Sequence, residues 1–75
     1  MNKLRRTKLK TWKSKAECLK DELDAILSEE QEAFDNMPEG LQCSTRGEES
    51  EEAIGQMEDA ISSLEDAIDN ISEIV

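Results

Sequence analysis

The stretch AIGQMED AISSLED AIDNISE IV, residues 53–75, is one seven-residue phrase written three times. Apolar side chains that recur every seven residues share one side of an α-helix, whereas a strand needs alternation every two. The segment therefore buries its apolar atoms only as a helix. With Ile54 at position a, Ile61, Ile68 and Val75 also fall at a, Met57, Leu64 and Ile71 at d, and Ala53, Ala60 and Ala67 at g. Every a and d site from Ile54 onward is aliphatic or Met.

The first half of the chain carries a looser version of the same pattern. Leu9, Ala16 and Leu23 fall at a, and Trp12, Leu19, Ile26 and Ala33 at d. Leu27 and Phe34 broaden the stripe, and Glu30 is its one polar interruption. Two amphipathic helices are predicted, about 4–36 and about 46–75, joined by a connection over about 37–45. The stretch DNMPEGLQCSTRG supplies the break: Pro38 biases Met37 out of the helical region and lacks a backbone donor, while Gly40 and Gly47 add freedom. Thr45 and Glu48 have the T-x-x-E spacing of a capping box, with Ser44 as a competing cap.

A short connection between long helices folds them antiparallel. The expected architecture is all-α, one domain over residues 1–75: an antiparallel two-helix hairpin, coiled-coil-like, able to dimerise into a four-helix bundle. Charge favours that topology. With residue 36 level with residue 48, Lys13, Lys15 and Lys20 approach Asp69, Asp66 and Glu65.

Size and composition limit what such a hairpin can do alone. Seventy-five residues, 36% hydrophobic and only 3% aromatic, make a thin core and offer few large side chains for a ligand pocket. The a, d and g positions of the second helix form a stripe wider than a two-stranded seam needs, which suits a bundle. The six residues expected to carry partner or self-association are Ile54, Met57, Ile61, Leu64, Ile68 and Ile71.

The net charge of -10 is unevenly laid out. Residues 1–15 contain Lys3, Arg5, Arg6, Lys8, Lys10, Lys13 and Lys15 and no acid; the remainder contains all nineteen acids against Lys20 and Arg46. In the antiparallel register Lys3, Arg5, Arg6 and Lys8 extend past the second helix as a basic arm. The hairpin tip collects Glu29, Glu30, Glu32, Asp35, Glu39, Glu48, Glu49, Glu51 and Glu52, and those ending the first helix oppose its dipole. Along the second helix Glu58, Asp59, Glu65 and Asp66 form an outward carboxylate band. Such a band either keeps the helix solvated or imitates a phosphate backbone and blocks a nucleic-acid-binding or defence protein. The basic arm raises direct nucleic-acid binding as a further reading, but the acidic body disfavours it.

Catalytic and metal readings find little support. Without His, the usual carboxylate–imidazole ligand sets are excluded. Asp35 to Gly40 begins like a calcium loop, yet Met37 and Arg46 stand where ligands belong. Glu48, Glu49 and Glu52, with Asp66 and Asp69, outline a weak magnesium-hydrolase pattern of the kind any Glu-rich helix produces. No catalytic residue, metal or cofactor is expected. Cys18 and Cys43 read as free thiols, since roughly 27 Å of helix separates Cys18 from the connection. The basic start lacks a following apolar run, so neither a secretory signal nor a membrane segment is expected, and the location is read as cytoplasmic.

The run EEQEAFDNMPEGLQCSTRGEESEEAIGQMEDAISSLEDAI resembles a family of small, largely uncharacterised proteins of bacteria and their phages. These share a D-N-M-P-E-like turn, an S-x-R-G-E-like helix start and acidic heptads, and the resemblance covers roughly residues 17–71. It implies a phage or bacterial origin and a helical hairpin, and carries no activity or site residues. The combined expectation is a non-enzymatic protein-interaction module acting through its apolar seam and acidic tip, by binding a partner or itself.

Overall fold

The computed structural model describes residues 1–75 as three helices: α1 (Lys3–Asp35), α2 (Glu39–Gln42) and α3 (Thr45–Ser72). The long helices α1 and α3 pack antiparallel into a rod whose Cα atoms span 58 × 14 × 13 Å. Ends are fastened locally. Asn2 caps α1, its side chain accepting a 2.9 Å hydrogen bond from the Arg5 backbone N–H. At the other end of the hairpin the cap of α3 is Ser44, whose hydroxyl accepts from the Gly47 N–H at 3.4 Å. Thr45 is instead the first helical residue, so the Thr45–Glu48 capping box does not form. Ser44 wins because its hydroxyl also donates to the Leu41 carbonyl, tying α2 to α3 with the same side chain.

The connection is more ordered than its Pro and Gly content suggests. After the break at Pro38, the single turn α2 folds back over the end of α1. The Gln42 amide donates to the Phe34 carbonyl at 3.0 Å, which also accepts from the Met37 N–H, and to the Met37 carbonyl at 3.3 Å, pinning the turn to the end of α1. Gly47 is buried beneath this turn. A Cβ there would strike the Gln42 carbonyl and come within 2.6 Å of the Leu41 carbonyl oxygen, so the corner closes only around glycine.

Along α3 the inward side chains are those of the heptad pattern: Ile54, Ile61 and Ile68 are buried, and Met57, Leu64 and Ile71 half-buried. On α1 the seam is rotated relative to the sequence reading. Its inward side chains are Leu9, Lys13, Ala16, Lys20, Leu23, Leu27, Glu30 and Phe34, which is positions a and e. Trp12, Leu19, Ile26 and Ala33 at d are exposed. A two-helix contact covers only about two of seven positions on each helix, and α1 offers apolar residues at three. The a/e choice brings Leu27 and Phe34 inside and places the Lys13 and Lys20 stems across α3, their ammonium groups reaching solvent.

Polar residues on the seam record the register. Ser50, buried on α3, donates a 2.7 Å hydrogen bond to the Glu30 carboxylate, so the Glu30 interruption is a specific cross-helix contact. Nearer the middle, Lys20 lies 3.4 Å from Glu65. Of the expected charge meetings only this one forms across the helices: Lys13 pairs with Glu17 on its own helix at 3.9 Å, and Lys15 pairs with no acid.

Candidate interaction surface

The Lys20–Glu65 pair distinguishes the two broad sides of the rod. Both residues occupy position e of their helices, so the e side of each long helix faces the same way. Lys10, Lys13, Glu17, Ser72 and Val75 line an open cleft on that side, near the paired ends of α1 and α3. It is a polar surface. Hydrogen bonding to Glu65, opposed by partial desolvation and reinforced by the charges of Glu65, Asp24 and Asp21, raises the Lys20 ammonium above its ordinary value.

The other side is therefore formed by position d of α1 and position g of α3. It presents Trp12, Leu19, Ile26 and Ala33 beside Ala53, Ala60 and Ala67. Trp12 is 42% exposed, Leu19 57% and Ile26 53%. Three large apolar side chains one heptad apart form a ridge about 21 Å long, and the α3 alanines form a low shelf alongside. No charged residue occupies d between Trp12 and Ala33. Lys15, Glu22 and Glu29, at g of α1, rim its outer edge.

This surface differs from the one expected from the heptads. Ile54, Ile61 and Ile68 are buried in the hairpin, and Met57, Leu64 and Ile71 are half-buried along it. Of the large apolar residues that stay exposed, Leu4, Trp12, Leu19 and Ile26 lie on α1, whereas Leu41 in α2 and Ile74 beyond α3 stand apart from that line. The sequence signal for this surface is the surplus of apolar positions in α1, at a, d and e, over what one neighbouring helix can cover.

The charged features are placed as follows. Lys3, Arg5, Arg6 and Lys8 are exposed and helical, continuing α1 past the end of α3, and none makes an ion pair. Glu58, Asp59, Glu65 and Asp66 are exposed along α3, and only Glu65 has a cationic partner. Glu48, Glu49 and Glu52 sit in the first turns of α3, and Asp66 is about 21 Å further along the same helix, so the two groups cannot share one metal ion. No cluster of three or more Cys, Asp or Glu side chains has metal-binding geometry. Cys18 and Cys43 are free and exposed. No helix is long and apolar enough to cross a membrane.

Compared with protein-family models, curated proteins and solved structures, the chain matches none.

Proposed function

We propose that this chain is a non-enzymatic protein-interaction module that works in the cytoplasm of a bacterium or its phage and receives a helical partner on the d-face of α1. The observation that carries this reading is the exposure of Trp12, Leu19 and Ile26 in one line on a rod that buries only six of its 75 residues. Burying this ridge against another helix adds apolar area that the hairpin cannot supply alone, at about 25 cal/mol per Å². Aromatic and aliphatic anchors of this kind dominate helix-in-groove recognition. The resemblance of residues 17–71 to small bacterial and phage proteins supports the origin and the location.

The test is affinity capture from the native host with intact chain and with Leu19→Asp/Ile26→Asp, after circular dichroism has established that both are equally helical. The intact chain is expected to hold its partner, or itself, in about 0.5 M salt, where charge contacts are screened to about 4 Å. Equal capture by the two chains would refute this face as the binding surface.

A second reading rests on the exposed, largely unpaired carboxylates of Glu58, Asp59 and Asp66, an acidic strip able to occupy the basic groove of a nucleic-acid-binding protein. It predicts a complex that dissociates in the same salt and on changing these three residues to Asn or Gln. The heptad places like carboxylates about 10 Å apart, wider than backbone phosphates, which ranks this reading second.

A further inference from the structure

We infer that the occupant of the α1 d-face is a second copy of this chain, docked antiparallel about a two-fold axis, so that the basic end of each rod lies over the acidic tip of the other. This rests on the interaction reading above and names its partner.

Charge selects both the copy and its direction. All seven cations of residues 1–15 lie at one end of the 58 Å rod and the nine acids of the tip at the other. Lys3, Arg5, Arg6, Lys8, Lys10 and Lys15 have no acidic partner within their own chain. Within α1 this layout opposes the helix dipole at both ends: the first turn holds no acid and the last no base. The arrangement therefore weakens the isolated helix and becomes favourable beside a helix running the other way. Two rods stacked face to face by a two-fold axis can be parallel or antiparallel. The parallel form sets base on base and tip on tip; the antiparallel form sets each base on a tip.

The apolar positions independently single out one antiparallel register, the one that pairs all four d residues of α1. Placing the axis between Glu22 and Leu23 sets Leu19 against the second copy's Ile26, and Trp12 against its Ala33, the largest side chain meeting the smallest. On the rim, Lys15 then comes level with the second copy's Glu29. The same axis must also suit α3. The Glu30–Ser50 and Lys20–Glu65 contacts bracket the level of residues 22 and 23 on α3 at about residue 60, and Ala60 is the middle of the three α3 alanines. Ala60 thus meets its own copy while Ala53 meets Ala67. One axis satisfies both helix pairs, and the small α3 residues let the shelf sides approach closely. Glu22, next to the axis, faces its own copy as the one like-charge meeting of the register.

The native cysteines give the test. Light scattering of the intact chain at about 100 µM should give a mass near 17 kDa, twice the 8.5 kDa chain. Leu19→Asp/Ile26→Asp should be monomeric. In a Cys18→Ser chain spin-labelled at Cys43, electron–electron dipolar spectroscopy should read about 50 Å between labels, whereas a parallel pair would give under about 30 Å. Glu22→Gln should lower the dimer dissociation constant several-fold. A monomeric intact chain overturns the second copy, and the capture experiment above still decides whether the face binds anything. A dimer with a short Cys43 separation overturns the antiparallel arrangement. A dimer unaffected at Leu19, Ile26 and Glu22 overturns the face.

Discussion

The Ser50 hydroxyl donates to the Glu30 carboxylate at 2.7 Å, linking residues twenty apart in sequence across the seam between α1 and α3. Any slip of α3 by one heptad along α1 would separate the pair and leave a serine and a carboxylate facing apolar groups. The contact thus specifies register more than it adds stability, as buried polar contacts do in other coiled coils. Ser50→Ala should cost about 1 kcal/mol and lower Tm by about 4–8 °C, whereas Glu30→Leu with Ser50→Ala should restore or exceed the starting Tm. Thermal melts of the three chains check this; a double variant less stable than Ser50→Ala would show that the pair stabilises the fold outright.

Gly47 is the residue around which the corner closes. Its missing Cβ makes room for the Leu41 and Gln42 carbonyls, which belong to backbone and cannot swing aside as a side chain would. Gly47→Ala should therefore destabilise by about 1–3 kcal/mol even though alanine is the better helix former. Gly55, where a Cβ meets nothing within 4 Å, supplies the control. Gly55→Ala should raise stability by about 0.5–1 kcal/mol. Melts of the two variants that moved in the same direction would contradict the close approach at the corner.

Lys20 sets a stability term with a defined pH window. Its ammonium is held above the ordinary value of 10.5, chiefly by the hydrogen bond to Glu65. A raised folded-state value means that this contribution is fully present below the unfolded pKa and is lost as pH rises through the folded one. The Tm difference between the intact chain and Lys20→Met should be small, as for any exposed pair, and flat from about pH 6 to about pH 9. It should vanish only well into the alkaline range, above about pH 10.5. A difference that fell away between about pH 7 and about pH 9 would exclude the charged Lys20–Glu65 contact as its source.

Much of this architecture was readable because helix and break signals agree locally. The heptads of residues 53–75 specify one helix and its inner face, and Pro38 marks where the other must stop. What the sequence did not reveal turns on competition between near-equal choices. Ser44 and Thr45 are adjacent caps, decided by a tertiary contact, the Ser44 hydroxyl donating to Leu41. On α1, apolar residues at a, d and partly e offered two seams, and the outcome turned on what position e could place against α3: Lys20 on Glu65, and Leu27 and Phe34 inside. The exposed ridge is the remainder of that competition, so the candidate surface could not be identified before the hairpin was closed.

That competition can be tested through two apolar residues that a simple heptad reading treats alike. Ile61 at position a of α3 is 8% exposed, and Ile26 at position d of α1 is 53% exposed. In chain dilute enough to be monomeric, Ile61→Ala should remove buried contacts and leave a cavity, costing about 2–4 kcal/mol, a large part of what so thin a hairpin has. Under the same conditions Ile26→Ala should change stability by less than about 0.5 kcal/mol, since its side chain leaves one solvated surface for another. Raising the concentration should separate them further. Ile61→Ala should remain weak at every concentration, while the intact chain should gain Tm on association and Ile26→Ala should gain less. Urea melts at two concentrations measure all of this, and a loss at Ile26 matching that at Ile61 in dilute chain would move the seam of α1 back to its a and d positions.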